Sequence, residues 1–474
     1  MNDASPPPPL PAETQNTRDP QPSLAPPPRS PRSYYKVILG WHVRIPFVVL
    51  LIGLWSWDVY QGYNYQPEET WDNNSVDFAL LYLDRELRLA EAIAEQPEPL
   101  RWFLLEESHH ETLTTSLESL NALKTVTTLG GNGTLARDVL RRKLGIATDD
   151  TPLIDVEDAE TIELLEAALI DDSNLWWQHE AVAHAASQLP PSLVAKMSAQ
   201  DQQLNRSILH RAIAANCLSW GIFLIGLCFV PAAWKTLSTG LRKPLTPVRS
   251  YGWKWPTTLI LALFVITDWI GGWFYSLAYQ FAPLQILNFG FDVAVDFLWR
   301  FIPILLILVI LFRRPSHAIR SFGLNRKPDW KLILGVYSVL GVIDLGLYQL
   351  MQPYIGIDPT GGLDPMEYGW PGLFYGLLSA CVAAPIAEEL LYRGTLMRGL
   401  ASSRKFWLAA LISTLAFIFC HYYDLYGSIS VGIFGLSAAL VYRATGSLIH
   451  AIALHALYNL SITSFTWLIY HSPL

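Results

Sequence analysis

Long apolar runs recur along this chain, with polar residues gathered between them. The runs over 43–60, 212–234, 257–280, 293–312 and 332–351 each approach the ~20 residues a helix needs to cross a hydrocarbon core. Further helical spans follow over 373–400 and 406–422, and through 428–470 with a break near 443–446. The pattern therefore predicts an all-α, polytopic membrane protein with about nine transmembrane helices.

Between 61 and 206 the pattern changes to amphipathic. Leu80, Leu83, Leu87 and Leu89 recur at helical spacing behind a capping Ser75, and the run ends before Pro97. Gly130-Gly131-Asn132-Gly133 reads as a turn, and 135–144, 159–170 and 176–189 read as helices. The stretch 1–32 is Pro-rich, with Pro7, Pro8, Pro9 and Pro26, Pro27, Pro28 opposing helix, and is expected to be a disordered tail. It is not a signal peptide, because its apolar run begins too far in.

Composition supports this organisation. Of 474 residues, 51% are hydrophobic and only 16% charged, which is too apolar for a soluble chain of this length. The net charge of −8 comes with acids concentrated in 61–206, so no nucleic-acid partner is expected. Cys217, Cys228, Cys381 and Cys420 form no CxxC, and neither a disulfide nor a cysteine metal site is expected.

Basic residues set the orientation. Arg29, Arg32, Lys36 and Arg44 precede or open the first run, whereas Asp58 and the acidic region follow it. The positive-inside rule places the N-terminus in the cytoplasm, the first transmembrane helix at 43–60 and a helical domain outside at 61–206. The loops 235–254 and 313–331 are basic and 352–369 is not, so the alternation stays consistent through helices two and three (212–280) and the final block (293–470). The expected setting is a bacterial plasma membrane, with lipid around the spans.

Several ionisable residues lie inside apolar runs, where charge is costly and commonly functional. Asp296 and Arg300 stand four apart and are expected to pair. Asp268 and Asp344 are read as packing or interface positions. The densest group is Ala387-Glu388-Glu389-Leu390-Leu391-Tyr392-Arg393. Glu389 and Arg393 share a helix face and can form an ion pair, whereas Glu388 points elsewhere as a carboxylate fit for general-base work. Phe417 and His421, then His455 and Asn459, follow at the same four-residue spacing. Measured along helices from the cytoplasmic turns, Glu388 lies ~18 Å deep, His421 ~23 Å and His455 ~14 Å, so the three meet near the middle of the bilayer. His450, five residues before His455, does not share its face. His179-Glu180-Ala181-Val182-Ala183-His184 spaces its histidines five apart rather than four, so it is no HExxH zinc motif. His109, His110, His179 and His184 are expected on the surface.

In this order, Glu-Glu-x-x-x-Arg, Phe-x-x-x-His and His-x-x-x-Asn, with Thr445-Gly446-Ser447-Leu448 leading into the last, resemble the CAAX prenyl endopeptidase and bacteriocin-processing family of intramembrane proteases. The resemblance covers roughly the last third to two fifths of the chain. It implies an endopeptidase acting on membrane-associated protein or peptide substrates, with CAAX-like C-termini as one class. Chemistry then suggests the roles. Glu388 with His421 would deprotonate a water, and His455 with Asn459 would stabilise the oxyanion. Glu389 and Arg393 would shape the helix or bind substrate, and Phe417 would form a wall. No metal is required by this reading; if one is present, Glu388, His421 and His455 are its candidate zinc ligands, and Asp424 could orient His421. Two other classes fit the composition: an ion-coupled carrier using buried carboxylates, and a non-catalytic membrane scaffold or regulator. Substrate identity and oligomeric state are not encoded in these motifs.

Overall fold

The computed structural model describes residues 41–64, 73–104, 108–126, 131–146, 153, 163, 175–243, 257–283, 288–312, 315–351, 369–401 and 406–473. The tail expected over 1–32 and nearly all of the helix expected over 159–170 lie outside them. Every regular element among the described residues is helical. Residues 41–47 belong to an N-terminal unit and contribute only the opening of the first helix, α1 (Trp41–Asn64); the chain from Val48 onward forms a second unit.

The polar module consists of α2 (Asn73–Ala94), α3 (Glu98–Phe103), α4 (His109–Val126), α5 (Gly131–Lys143) and α6 (Trp176–His184). Its leucines behave as their spacing predicts: Leu80, Leu83 and Leu87 are buried with Leu120, Leu140, Trp176 and Trp177. Two buried arginines hold it together and in place. Arg88 bridges Asp84 at 3.0 Å and Asp201 at 2.6 Å, and Asp84 also accepts the Trp176 backbone N–H. Arg85 donates to the Ser472 carbonyl at 2.6 Å, tying the module to the end of the last helix. His179, expected on the surface, is instead buried, with Nδ1 3.0 Å from the Met197 carbonyl; it occupies the inner face of a helix whose neighbours close over it. Burial, and then the charge of Arg88, lowers its pKa to about 4.

The remaining helices are α7 (Pro191–Leu227), α8 (Val230–Arg242), α9 (Thr257–Phe281), α10 (Phe289–Leu311), α11 (Pro315–Phe322), α12 (Trp330–Met351), α13 (Gly369–Leu400), α14 (Phe406–Phe419), α15 (Leu425–Thr445) and α16 (Leu448–His471). Seven of the described helices are long and apolar enough to cross a membrane, and two shorter apolar helices cover Ile45–Gln61 and Phe406–Phe419. Their outward faces, with Trp273, Val309, Phe374 and Trp407 exposed, suit a hydrocarbon solvent. The span expected over 212–234 is interrupted at Cys228 and Phe229, between α7 and α8. Pro231 explains the break: it lacks the N–H that Leu227 would need and its ring crowds that carbonyl. α7 in turn begins far earlier than expected, with Pro191 in its first turn, and so runs from the polar module into the spanning region.

The core joins α9, α10, α12, α13, α14, α15 and α16. The turn between α15 and α16 is fixed by Gly446, whose φ of 64° is a left-handed cap. Arg326 donates to the Thr445 carbonyl at 2.6 Å and Ser447 to the Gly323 carbonyl at 2.6 Å, which sets the depth at which α16 enters the bundle.

Candidate active site

α13 is not a uniform helix. Ser379–Ala383 and Glu389–Met397 are wound as π-helix, on either side of the α-helical turn Ala384–Glu388. Pro385 accounts for the first widening. The Ala384 N–H is spent on the Ser379 carbonyl, and Pro385 has no N–H to offer the Ala380 carbonyl one step on. That acceptor is satisfied from another helix: Asn459 Nδ2 donates to the Ala380 carbonyl at 2.7 Å. A defect in α13 is thus the anchor for α16, about two turns before Glu388.

The second widening begins at Glu389 and changes what two adjacent glutamates can do. A wide i→i+5 turn rotates neighbouring residues by less than an α-helical step, so both carboxylates reach α16. Glu389 is fully buried. Its Oε1 accepts from Arg393 Nη1 at 3.0 Å and from His455 Nδ1 at 3.1 Å. Arg393, equally buried, lies with its guanidinium carbon 4.1 Å from the centre of the Phe417 ring. Space for it exists because residue 435 is glycine; a Cβ there would stand 2.9 Å from Arg393 Nη2.

Glu388 keeps 20% of its side-chain surface and faces the other way. Its Oε2 lies 3.8 Å from His455 Nε2 and 3.9 Å from His421 Nε2, and makes no hydrogen bond to any described group. Both rings are held through their other nitrogen: His455 by Glu389, and His421 by the Phe417 carbonyl, which accepts from Nδ1 at 2.6 Å. Tyr422, next to His421, adopts φ of 52°, a costly left-handed backbone for an aromatic residue. Phe417 forms the wall between the rings, with centroids 4.5 Å from His421 and 6.0 Å from His455. Asp424 caps α15 by accepting the Gly427 N–H at 2.7 Å.

Sequence reasoning placed Glu388, His421 and His455 at one depth, and the structure brings a ring nitrogen of each histidine within 4 Å of Glu388 Oε2. Residues 370–461 match the family model described as type II CAAX prenyl endopeptidase Rce1-like. The chain carries an Rce1-like domain. The match includes Glu388, Glu389, Arg393, Phe417, His421, His455 and Asn459. No curated protein and no solved structure matches the chain. The Rce1-like segment and the apolar helices together point to an integral membrane protein with a CAAX-protease-like domain.

Three residues around this centre were not predicted as part of it. Arg300 was expected to pair with Asp296, and does so at 3.0 Å, but its Nη1 also approaches Glu388 Oε1 at 3.6 Å. Ser379 donates to Asp296 at 2.8 Å, fixing that pair to α13. Phe434 packs against His455, tilted by 58°, with ring centroids 4.8 Å apart. The signal for Arg300 was present in its position within an apolar helix; nothing in the spacing pointed it at Glu388. Asp268 accepts from Trp55 Nε1 at 3.2 Å, and Asp344 accepts from Ser430 at 2.6 Å and from Tyr426 at 3.3 Å.

The separations of 3.8 and 3.9 Å between Glu388 Oε2 and the two rings are ones that a water hydrogen-bonded at ~2.8 Å to each atom would bridge. A tetrahedral zinc with ligands at ~2.0 Å sets its donor atoms ~3.3 Å apart, somewhat closer than here. Two imidazoles and a carboxylate are nonetheless a zinc-binding set in kind.

Proposed function

We propose that the chain is an intramembrane endopeptidase in which Glu388 with His421 activates a water and His455 with Asn459 stabilises the oxyanion, to hydrolyse peptide bonds of membrane-associated substrates, CAAX-like C-termini included. The carrying observation is the approach of one otherwise unbonded carboxylate oxygen to two imidazole nitrogens inside the Rce1-like segment. Glu388 takes a proton from the water, with His421 orienting it, as the oxygen adds to the scissile carbonyl carbon. His455, protonated on both nitrogens with Nδ1–H held by Glu389, would donate from Nε2 to the developing oxyanion, joined by the amide hydrogen that Asn459 retains after bonding Ala380. Collapse breaks the C–N bond, and the proton on Glu388 passes to the leaving amine. Glu389, Arg393 and Phe417 act beneath this centre by holding His455 and the wide turn of α13. Arg300 sets a positive charge 3.6 Å from the other oxygen of Glu388, Oε1.

The test compares the termini of membrane proteins in cells carrying wild type or Glu388→Gln at equal protein level. New N- and C-termini confined to the wild type support the reading; identical terminomes reject it.

A second reading has one observation in its favour. Both rings are oriented through Nδ1 by oxygen acceptors, as zinc-bound histidines commonly are. Glu388, His421 and His455 would then hold the ion, which would supply Lewis acidity toward water and carbonyl. Activity that survives prolonged chelation favours the glutamate-activated water. Activity lost on chelation, restored by zinc and accompanied by stoichiometric metal favours the ion.

A further inference from the structure

A cavity of about 580 Å³ lies between the polar module and the spanning helices. Its walls include Glu86 of α2, Trp220 of α7, Asp344 and Tyr348 of α12, Tyr426 of α15 and Tyr470 of α16. Of the lining residues only Tyr426 falls in the Rce1-like segment, so the module, the earlier helices and the end of α16 build most of this site. The lining is aromatic and acidic. Tyr348 and Tyr426 meet edge to face at 5.8 Å, Glu86 and Asp344 are its ionisable acids, and no lysine, arginine or histidine is among its described residues. Asp344 accepts hydrogen bonds from two neutral hydroxyls, those of Ser430 and Tyr426, with no cation paired to it among the described contacts.

Asp344 also lines a second, smaller void with Ser430, Phe434 and Tyr458. From there a continuous path leads to the catalytic centre. Ser430 Oγ lies 3.2 Å from Tyr458 OH, the Tyr458 ring packs against Phe434 with centroids 5.1 Å apart, and Phe434 packs against His455 at 4.8 Å. A group held at Asp344 is therefore connected by direct contacts to the ring that faces Glu388.

We infer that this cavity is a substrate subsite that accepts a basic side chain of the peptide, its ammonium or guanidinium on Asp344 and its apolar stem among the tyrosines and Trp220. The inference rests on the protease reading for the name of its ligand. Its physical basis is separate: a carboxylate satisfied only by neutral donors, in an aromatic and acidic enclosure, is complementary to an organic cation. The contact path to His455 favours a peptide over a lipid amine, since a bound residue there shares its wall with the reacting centre. Asp344 is accordingly a specificity-determining residue rather than a catalytic one.

Binding is measured with the full chain carrying Glu388→Gln, in uncharged maltoside micelles, so that no turnover is needed. The probes are an apolar synthetic peptide with one central lysine and its norleucine counterpart, each followed by fluorescence anisotropy. The lysine peptide is expected to bind roughly tenfold tighter or more, as a charge-assisted hydrogen bond would give. Adding Asp344→Asn should erase that preference while leaving the norleucine peptide's affinity unchanged. Ser219→Trp, which fills the cavity from α7 without touching the Asp344 hydrogen bonds, should weaken both peptides. Equal affinity for the two peptides overturns the proposal, as does a preference that survives Asp344→Asn or binding that ignores Ser219→Trp. Displacement of the lysine peptide by phosphatidylethanolamine, with the same dependence on Asp344, assigns the cavity to a lipid amine and also overturns it. Because no cleavage is measured, a lysine preference alongside unchanged terminomes would sink the protease reading alone.

Discussion

Arg393 has no surface exposure, one nitrogen on Glu389 and its plane against Phe417. Replacing it by alanine leaves Glu389 charged, buried and without its cation, so Arg393→Ala is expected to lose roughly 3–5 kcal/mol of stability. Arg393→Lys should recover only part of it, since lysine lacks the flat face that Phe417 contacts. Thermal unfolding of the purified variants checks this; an unchanged midpoint in Arg393→Ala would show that the pair is not structural. At this scale the motif spacing was informative. Glu388, His421 and His455 could be brought together on paper from helix length alone, and the Glu389–Arg393 and Asp296–Arg300 pairs from four-residue spacing. The bond from Glu389 to His455 could not, because it joins two helices through a turn that is not α-helical. His179 was misread for a related reason: whether a helical histidine faces water depends on which neighbours pack over it.

The distinctive element is α13, whose two wide turns bracket Glu388. Pro385 supports the first by withholding an N–H from Ala380, and Asn459 depends on the acceptor that results. Pro385→Ala would let the helix wind regularly, with the new N–H on the Cys381 carbonyl and the Ala384 N–H on the Ala380 carbonyl that Asn459 uses. The expected result is a protein of equal or greater thermal stability with activity reduced ~10-fold or more, because a displacement near 1 Å at the reacting groups can cost ~10²-fold. Full activity with a raised midpoint would mean that the wide turn has no part in positioning. The apolar pattern showed that α13 exists but not its winding. Pro385 was visible, yet a proline inside a helix is compatible with a kink, a break or a widened turn, and only the packing of α16 selects among them. The same ambiguity hid the division at Pro231 that separates α8 from α7.

The molecule as a whole combines a polar helical module with a bundle of apolar helices, linked by α7 and by Arg85 on the last residues of α16. Module stability should carry a signature of His179. Its folded pKa of about 4 lies below the unfolded value near 6.5, so the unfolded chain binds the proton first. This contribution is constant above about pH 6.5 and is lost as pH falls toward 4, by roughly 3 kcal/mol in all. It should appear as a difference between wild type and His179→Gln in melting midpoints at pH 7 and 4.5; parallel midpoints would contradict it. Orientation follows from the basic residues flanking the spans. Arg141→Cys, at an exposed module position, should react with an impermeant thiol reagent in intact cells, and labelling only after lysis would invert the topology. The class of the molecule was legible in composition and periodicity because hydrocarbon permits few solutions to buried backbone polarity. The cavity between module and bundle was not, since it arises from surfaces that no local pattern pairs.

The most direct test of the account is the hydrolysis rate of purified wild type and Glu388→Gln, on a membrane peptide cleaved by the wild type, with thermal unfolding recorded in parallel. Loss of the base is expected to slow cleavage ~10²-fold or more at an unchanged midpoint. A Glu388→Gln protein that folds normally and cleaves within about twofold of wild type would contradict the assignment of Glu388 as the group that activates water.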